Sequence, residues 1–212
     1  MELTHYLNKN FLSKKQLLDT TKVTKKEFRQ YQKQGVMPKH SYRINLTLEC
    51  DSFFGPHLES QAIEYYAKGY TSWLAIIQSL KTTEAIYEVF YQRYANEIER
   101  LKTLGHHVDS EKLNVDFDLH VQEEWLQFIN GIYGLCTKTG LPEDIAAKEF
   151  AIIEIHELTV AEDLTPTALA RLSTAVNLLD EASNPFAPHE YHQSTRYRLV
   201  DEVRRKYSLR KA

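Results

Sequence analysis

Three groups of residues in this 212-residue chain carry side chains whose types and spacing bear on chemistry. The first is of metal-ligand type. Asp116, His120 and Glu123 recur at spacings of four and three, which on a helix sets a carboxylate, an imidazole and a second carboxylate on neighbouring turns. Glu149, Glu154 and His156 lie on another predicted helix. Di-iron bundles draw such groups from facing helices, usually as Glu-x-x-His pairs. Here the order is reversed and a second matching pair is missing, so charged surface at helical spacing is the commoner origin of the pattern. The second group is a thiol, Cys136, in a glycine-rich stretch with Lys138 two residues on. A nucleophilic thiolate needs a base or a positive field, and an inert small apolar side chain is the more frequent role. The third group is cationic: Lys25, Lys26, Arg29, Lys33 and Arg43. Its chemistry is capture of a polyanion.

Other candidates have plainer readings. His106-His107 follows a predicted helix end, where an imidazolium complements the helix dipole, and His189-x-x-His192 sits in a proline-bracketed loop. A second cationic run comprises Arg196, Arg198, Arg204, Arg205, Lys206, Arg210 and Lys211, against Asp201 and Glu202. It is expected to pair with an acidic body, bind an anion, or be solvated. No Walker-type loop, dinucleotide fingerprint or nucleophile elbow occurs, so the residues assign no cofactor.

The elements that must position these groups read as helices almost throughout. Leu3–Asn8 is a short predicted helix, and Ser13 caps another, Lys14–Thr20. Thr24-Lys25-Lys26-Glu27 is a capping box opening a third helix that stops at Gly35, with Pro38 shortly after. Pro38–Cys50 reads as irregular or extended, with a short strand at Tyr42–Leu48. Apolar spacing then predicts helices over Leu58–Leu80 (interrupted at Gly69), Thr83–Leu104 and Asp116–Asn130. Gly131–Gly140 reads as a loop. Pro142 and Thr165-Pro166 open helices reaching Leu158 and about Ala182, and Ser194 to about Leu209 is the last. The expected fold class is therefore all-α: a helix-turn-helix over residues 1–45, then a bundle of about five or six helices over residues 46–212.

The net charge of −3 conceals an asymmetry. Residues 1–45 hold ten Lys/Arg against three Asp/Glu, and residues 46–212 hold sixteen against twenty-six. A basic head on an acidic body suits an anionic partner for the head, or docking of head on body. No apolar run approaches the ~20 residues of a membrane span. The opening residues Met1–Tyr6 lack the pattern of a secretion signal. Cys50 and Cys136 lack metal-type spacing, which fits reduced thiols in a cytoplasmic chain.

The register Val23-Thr24, Phe28-Arg29-x-Tyr31, Gly35-Val36-Met37-Pro38, Tyr42-Arg43 resembles the DNA-reading unit of the mercury-resistance-regulator (MerR) type. The resemblance covers residues 13–43 and implies that the second helix of the unit enters the major groove. It also implies dimerisation, for which Thr83–Leu104 offers an apolar stripe. In that family a wing separates the Pro from the Tyr-Arg pair; here only Lys39-His40-Ser41 stands between them, so the wing is expected to be truncated. Over most of its length the chain also resembles an uncharacterised bacterial domain family labelled natural product biosynthesis protein. The residues that carry this include Cys50-Asp51-Ser52-Phe53-Phe54-Gly55, Tyr65-Tyr66-Ala67-Lys68-Gly69-Tyr70, Tyr133-Gly134-Leu135-Cys136 and Arg198-Leu199-Val200-Asp201-Glu202.

Three classes of function stay open on the sequence. One is a binding protein or regulator whose head meets nucleic acid and whose body meets a small molecule or a protein. The others are a biosynthetic enzyme with its site in the helical body, and a protein–protein scaffold.

Overall fold

A computed structural model describes residues 2–161 and 163–210 of the chain. Lys211, expected in the last cationic run, lies outside the described residues, as does Met1. The order opens α1 (Glu2–Asn10), β1 (Phe11–Ser13), α2 (Lys14–Thr21), α3 (Lys25–Lys33), β2 (Tyr42–Ser52) and β3 (Gly55–Ala67). It continues with α4 (Tyr70–Ser79), α5 (Thr83–Thr103), α6 (Phe117–Ile129), α7 (Ile132–Cys136), α8 (Pro142–Leu158), α9 (Pro166–Ala182) and α10 (Glu202–Lys206).

The all-α expectation is overturned by a three-stranded antiparallel sheet of order β1-β3-β2. The molecule is mixed α/β. The misread segment is Leu58–Ala67. Its Ala62, Tyr65 and Tyr66 fall at helical spacing, and Ala, Glu and Gln favour helices. Yet it lies opposite Tyr42–Ser52, whose side chains alternate, and sheet pairing overrides local propensity. The register runs from Tyr42 opposite Tyr65 to Ser52 opposite Gly55. The chain beyond Lys39-His40-Ser41 is therefore a long hairpin of an eleven- and a thirteen-residue strand. Two smaller corrections follow. Gly131–Gly140 contains the short helix α7, and the expected Ser194–Leu209 helix is broken into a π turn at Tyr197–Asp201 followed by α10.

Helices α2 to α8 share one core in which Trp73, Phe90 and Phe128 are fully buried; α8, α9 and the C-terminal turns share a second around Leu172 and Val200, and α1 packs with β1 and β3 in a third around Leu7 and Phe11. Trp73 and Phe90 each lie about edge-to-face or tilted against Phe128, with centroids 5.0 and 5.1 Å apart, spacings at which aromatic pairs add to simple burial. Leu17, Phe28, Val36 and Met37 from the basic head join the first of these cores. Arg93 grips Glu143 through two N–H donors at 2.6 and 2.7 Å and ties α5 to the start of α8. Buried Glu154 of α8 accepts from His106 at 2.6 Å and from Arg171 of α9 at 3.3 Å. Asp180 of α9 pairs with Arg196 and, at 2.8 Å, with Arg204, which secures the C-terminal turns. These pairs take up two cations of the second basic run.

The segment between α3 and β2 is seated on the body. Lys39 N–H donates to the Ile129 carbonyl at 2.9 Å, and its ammonium donates to Asn130 at 2.9 Å. Gly131 follows with φ +86°, and a Cβ there would come 2.7 Å from the Lys39 carbonyl oxygen. Glycine is needed both for that backbone and for that approach.

Candidate nucleic-acid interface

Of the cationic group, Lys25, Lys26, Arg29 and Lys33 stand on α3, which Lys22-Val23-Thr24 joins to α2, and Arg43 stands at the start of β2. Each of the two helices begins on a reciprocal cap. Ser13 N–H donates to Gln16 at 2.8 Å and Gln16 N–H to the Ser13 hydroxyl at 3.3 Å. Thr24 N–H donates to Glu27 at 2.8 Å and Glu27 N–H to the Thr24 hydroxyl at 3.2 Å. Such boxes satisfy orphan donors of the first turn and fix where the helix starts. The far end of α3 turns at Gly35 (φ +69°), after which Val36 and Met37 drop into the core. The indole N–H of Trp73 donates to the Val36 carbonyl at 2.9 Å.

One face of α3 is thereby committed inward. Phe28 is fully buried, edge-on to Tyr66 with centroids 5.5 Å apart, and the Lys14 ammonium lies over its ring at 5.2 Å. Lys25, Lys26, Arg29 and Lys33 occupy the opposite face and are all exposed. Among the described residues none of the four, nor Arg43 at the start of β2, makes an ion pair. Lys25, Arg29 and Arg43 line an open groove of about 800 Å³ between α2, α3 and the hairpin. Lys14 and Lys15 line it too, but are engaged by Glu64 at 2.8 Å and by Asp19 at 2.7 Å. The Lys15 ammonium beside it holds the Asp19 carboxyl below the usual carboxylate range.

Asp116, His120 and Glu123 are not assembled. Asp116 and Glu123 are exposed, whereas His120 is buried. Among the described residues no three His, Cys, Asp or Glu side chains are placed to hold a metal ion. His120 instead faces Glu124, one residue beyond the expected partner, at 3.9 Å, and its Nε2 lies 2.9 Å from the Tyr94 hydroxyl. The Tyr133 hydroxyl donates to Glu124. Burial and the nearby Glu149 push the Glu124 carboxyl up to about 7, and burial also raises Glu149. Burial lowers His120. Both carboxyls are thus biased toward the protonated form. Sequence spacing missed this cluster because Glu149 comes from another helix and Glu124 reads as an ordinary charged position. Cys136 is buried, and burial raises its thiol against the lowering effect of Lys148. It is held in the unreactive protonated form.

No curated protein and no solved structure matches the chain. A sequence profile described as a family of unknown function (DUF6058) matches residues 86–208, from the first turn of α5 to the end of the C-terminal turns. The cationic helices and the hairpin precede the matched residues. With more than half of its length matched, the chain belongs to this family of unknown function, DUF6058.

Proposed function

We propose that this protein binds double-stranded DNA through α3, with Lys25, Lys26, Arg29 and Lys33 facing the duplex and Arg43 closing the groove beside it. The observation that carries the reading is the face of α3 opposite Phe28: four cations, exposed and without ion-pair partners among the described residues. Cations committed to folding would be paired or laid on the acidic body. Unpaired cations on one helical face suit phosphates and base edges.

In this reading the DUF6058 body is the sensing part. Lys39, directly after the reading unit, is held by Ile129 and Asn130 at the end of α6. A ligand or protein partner that shifts α6 would therefore move the base of the unit. The resemblance to proteins labelled for natural product biosynthesis makes genes of such a pathway the regulated set. Selection from a random duplex pool tests the proposal. Enrichment of one sequence motif by the wild-type chain is expected. Recovery no better than that of a Lys25→Glu/Arg29→Glu variant would sink it.

A further inference from the structure

We infer that the open edge of β2 pairs, antiparallel and in register, with the β2 edge of a second copy of this chain. The hairpin projects from the body: Leu48, Phe53, Phe54 and Leu58 are 58%, 97%, 96% and 64% exposed. Its polarity excludes the role a wing plays on a phosphate backbone. Between Ile44 and Ala67 there is no Lys or Arg, while Glu49, Asp51, Glu59 and Glu64 are present.

The backbone fixes which groups are open. Ser52 and Gly55 close a two-residue loop, and Asp51 stands opposite Pro56. Pro56 has no N–H, so Asp51–Pro56 is a non-hydrogen-bonded pair. Hydrogen-bonded and non-bonded pairs alternate along an antiparallel ladder. The even-numbered residues of β2 therefore bond to β3, and Arg43, Asn45, Thr47, Glu49 and Asp51 turn their N–H and C=O groups to the open edge. Edge strands are ordinarily blunted by Pro, Lys, a bulge or a cover. The β3 edge has Pro56, and β1 covers its base. Tyr42–Ser52 holds no Pro, Lys or Gly and runs eleven residues in unbroken register.

A second copy fits because the strand is self-complementary. With Thr47 opposite the partner's Thr47, all eleven residues are paired and the outward groups meet outward groups. Arg43 then lies opposite the partner's Asp51, twice by symmetry. Asn45 lies opposite the partner's Glu49, Leu46 opposite the partner's Leu48, and Ile44 opposite the partner's Cys50. Opposite charges and apolar pairs at facing positions are the stabilising combinations of a sheet. A register centred on Glu49 would oppose like charges. Each Phe53-Phe54 tip would reach the base of the other hairpin.

The oligomeric state of the full chain, without DNA, tests this separately from DNA binding. Light scattering is expected to give twice the 24.8 kDa chain mass. Thr47→Pro removes an outward N–H and one exposed hydroxyl contact, with Ser60 at 3.3 Å, and no ladder hydrogen bond to β3, so it should leave the circular dichroism unchanged and halve the mass. Thr47→Cys in a Cys50→Ser background should oxidise to a covalent dimer, because hydrogen-bonded pairs bring Cα atoms to about 5.5 Å, within disulfide reach. Ile44→Cys should cross-link through native Cys50 of the second copy, which wild type cannot do through Cys50 alone. A monomeric wild type overturns the inference. So does a dimer that survives Thr47→Pro, or one in which neither engineered cysteine cross-links.

Discussion

Glu124 is the position where this structure commits most sharply to a pH dependence. Its carboxyl is buried beside Glu149 and pushed up to about 7 from an ordinary value of 4.5. The folded state therefore holds a proton that the unfolded chain releases from about pH 4.5 upward. By linkage, stability falls where the native state binds more protons. The contribution of Glu124 is therefore fully present below about pH 4.5 and is lost as pH rises to about 7, above which it changes no further. The shift of between two and three pH units, at about 1.4 kcal/mol each, corresponds to roughly 3 kcal/mol. For a chain of this size that is on the order of 10 °C in Tm. Glu124→Gln removes the titration and keeps an oxygen to accept the Tyr133 hydroxyl. Thermal melts of wild type and variant from pH 5 to 8 should coincide within about 1 kcal/mol at the acid end. They should separate progressively between about pH 5 and 7, with the variant more stable, and run parallel above that. A wild-type Tm flat across this range, or a variant that loses stability just as steeply, would refute the reasoning.

Further outcomes follow from the head and the C-terminal turns. Phe28→Ala empties a fully buried ring site under α3 and should cost about 3–5 kcal/mol in denaturant unfolding. Thr24→Ala breaks the reciprocal cap with Glu27 and should cost about 1 kcal/mol; protection of the α3 amides in hydrogen exchange should fall before that of α5. Asp180→Ala leaves Arg196 and Arg204 half-buried beside an absent carboxylate, and losing one partner of such a network costs about 3–5 kcal/mol. Exchange should rise first in residues 194–207 of that variant.

The local grammar of the chain was legible where a few adjacent residues decide the outcome. Ser13 and Thr24 cap α2 and α3, Pro142 and Pro166 open α8 and α9, and Gly35 ends the turn after α3. Trp73 and Trp125 each stand in an apolar stripe that marks them as core; Trp73 is fully buried and Trp125 half-buried against the same cluster. What escaped was set by distant partners. Leu58–Ala67 has helix-forming composition and becomes a strand only because residues 42–52 lie beside it. Glu124 carries no local sign of burial; the approach of Tyr133 and Glu149 makes it unusual. The hairpin was invisible as a wing because the family pattern places the wing before the Tyr-Arg pair, whereas this chain begins its hairpin with that pair.

The central claim is that the outward cations of α3 meet a polyanion, and the salt dependence of duplex DNA affinity tests it most directly. If Lys25, Lys26, Arg29 and Lys33 each neutralise a phosphate, log K should fall against log salt with a slope of about −4, and Arg29→Ala should reduce that slope by about one without changing the fold. A slope near zero, or an Arg29→Ala slope equal to wild type, would contradict the account.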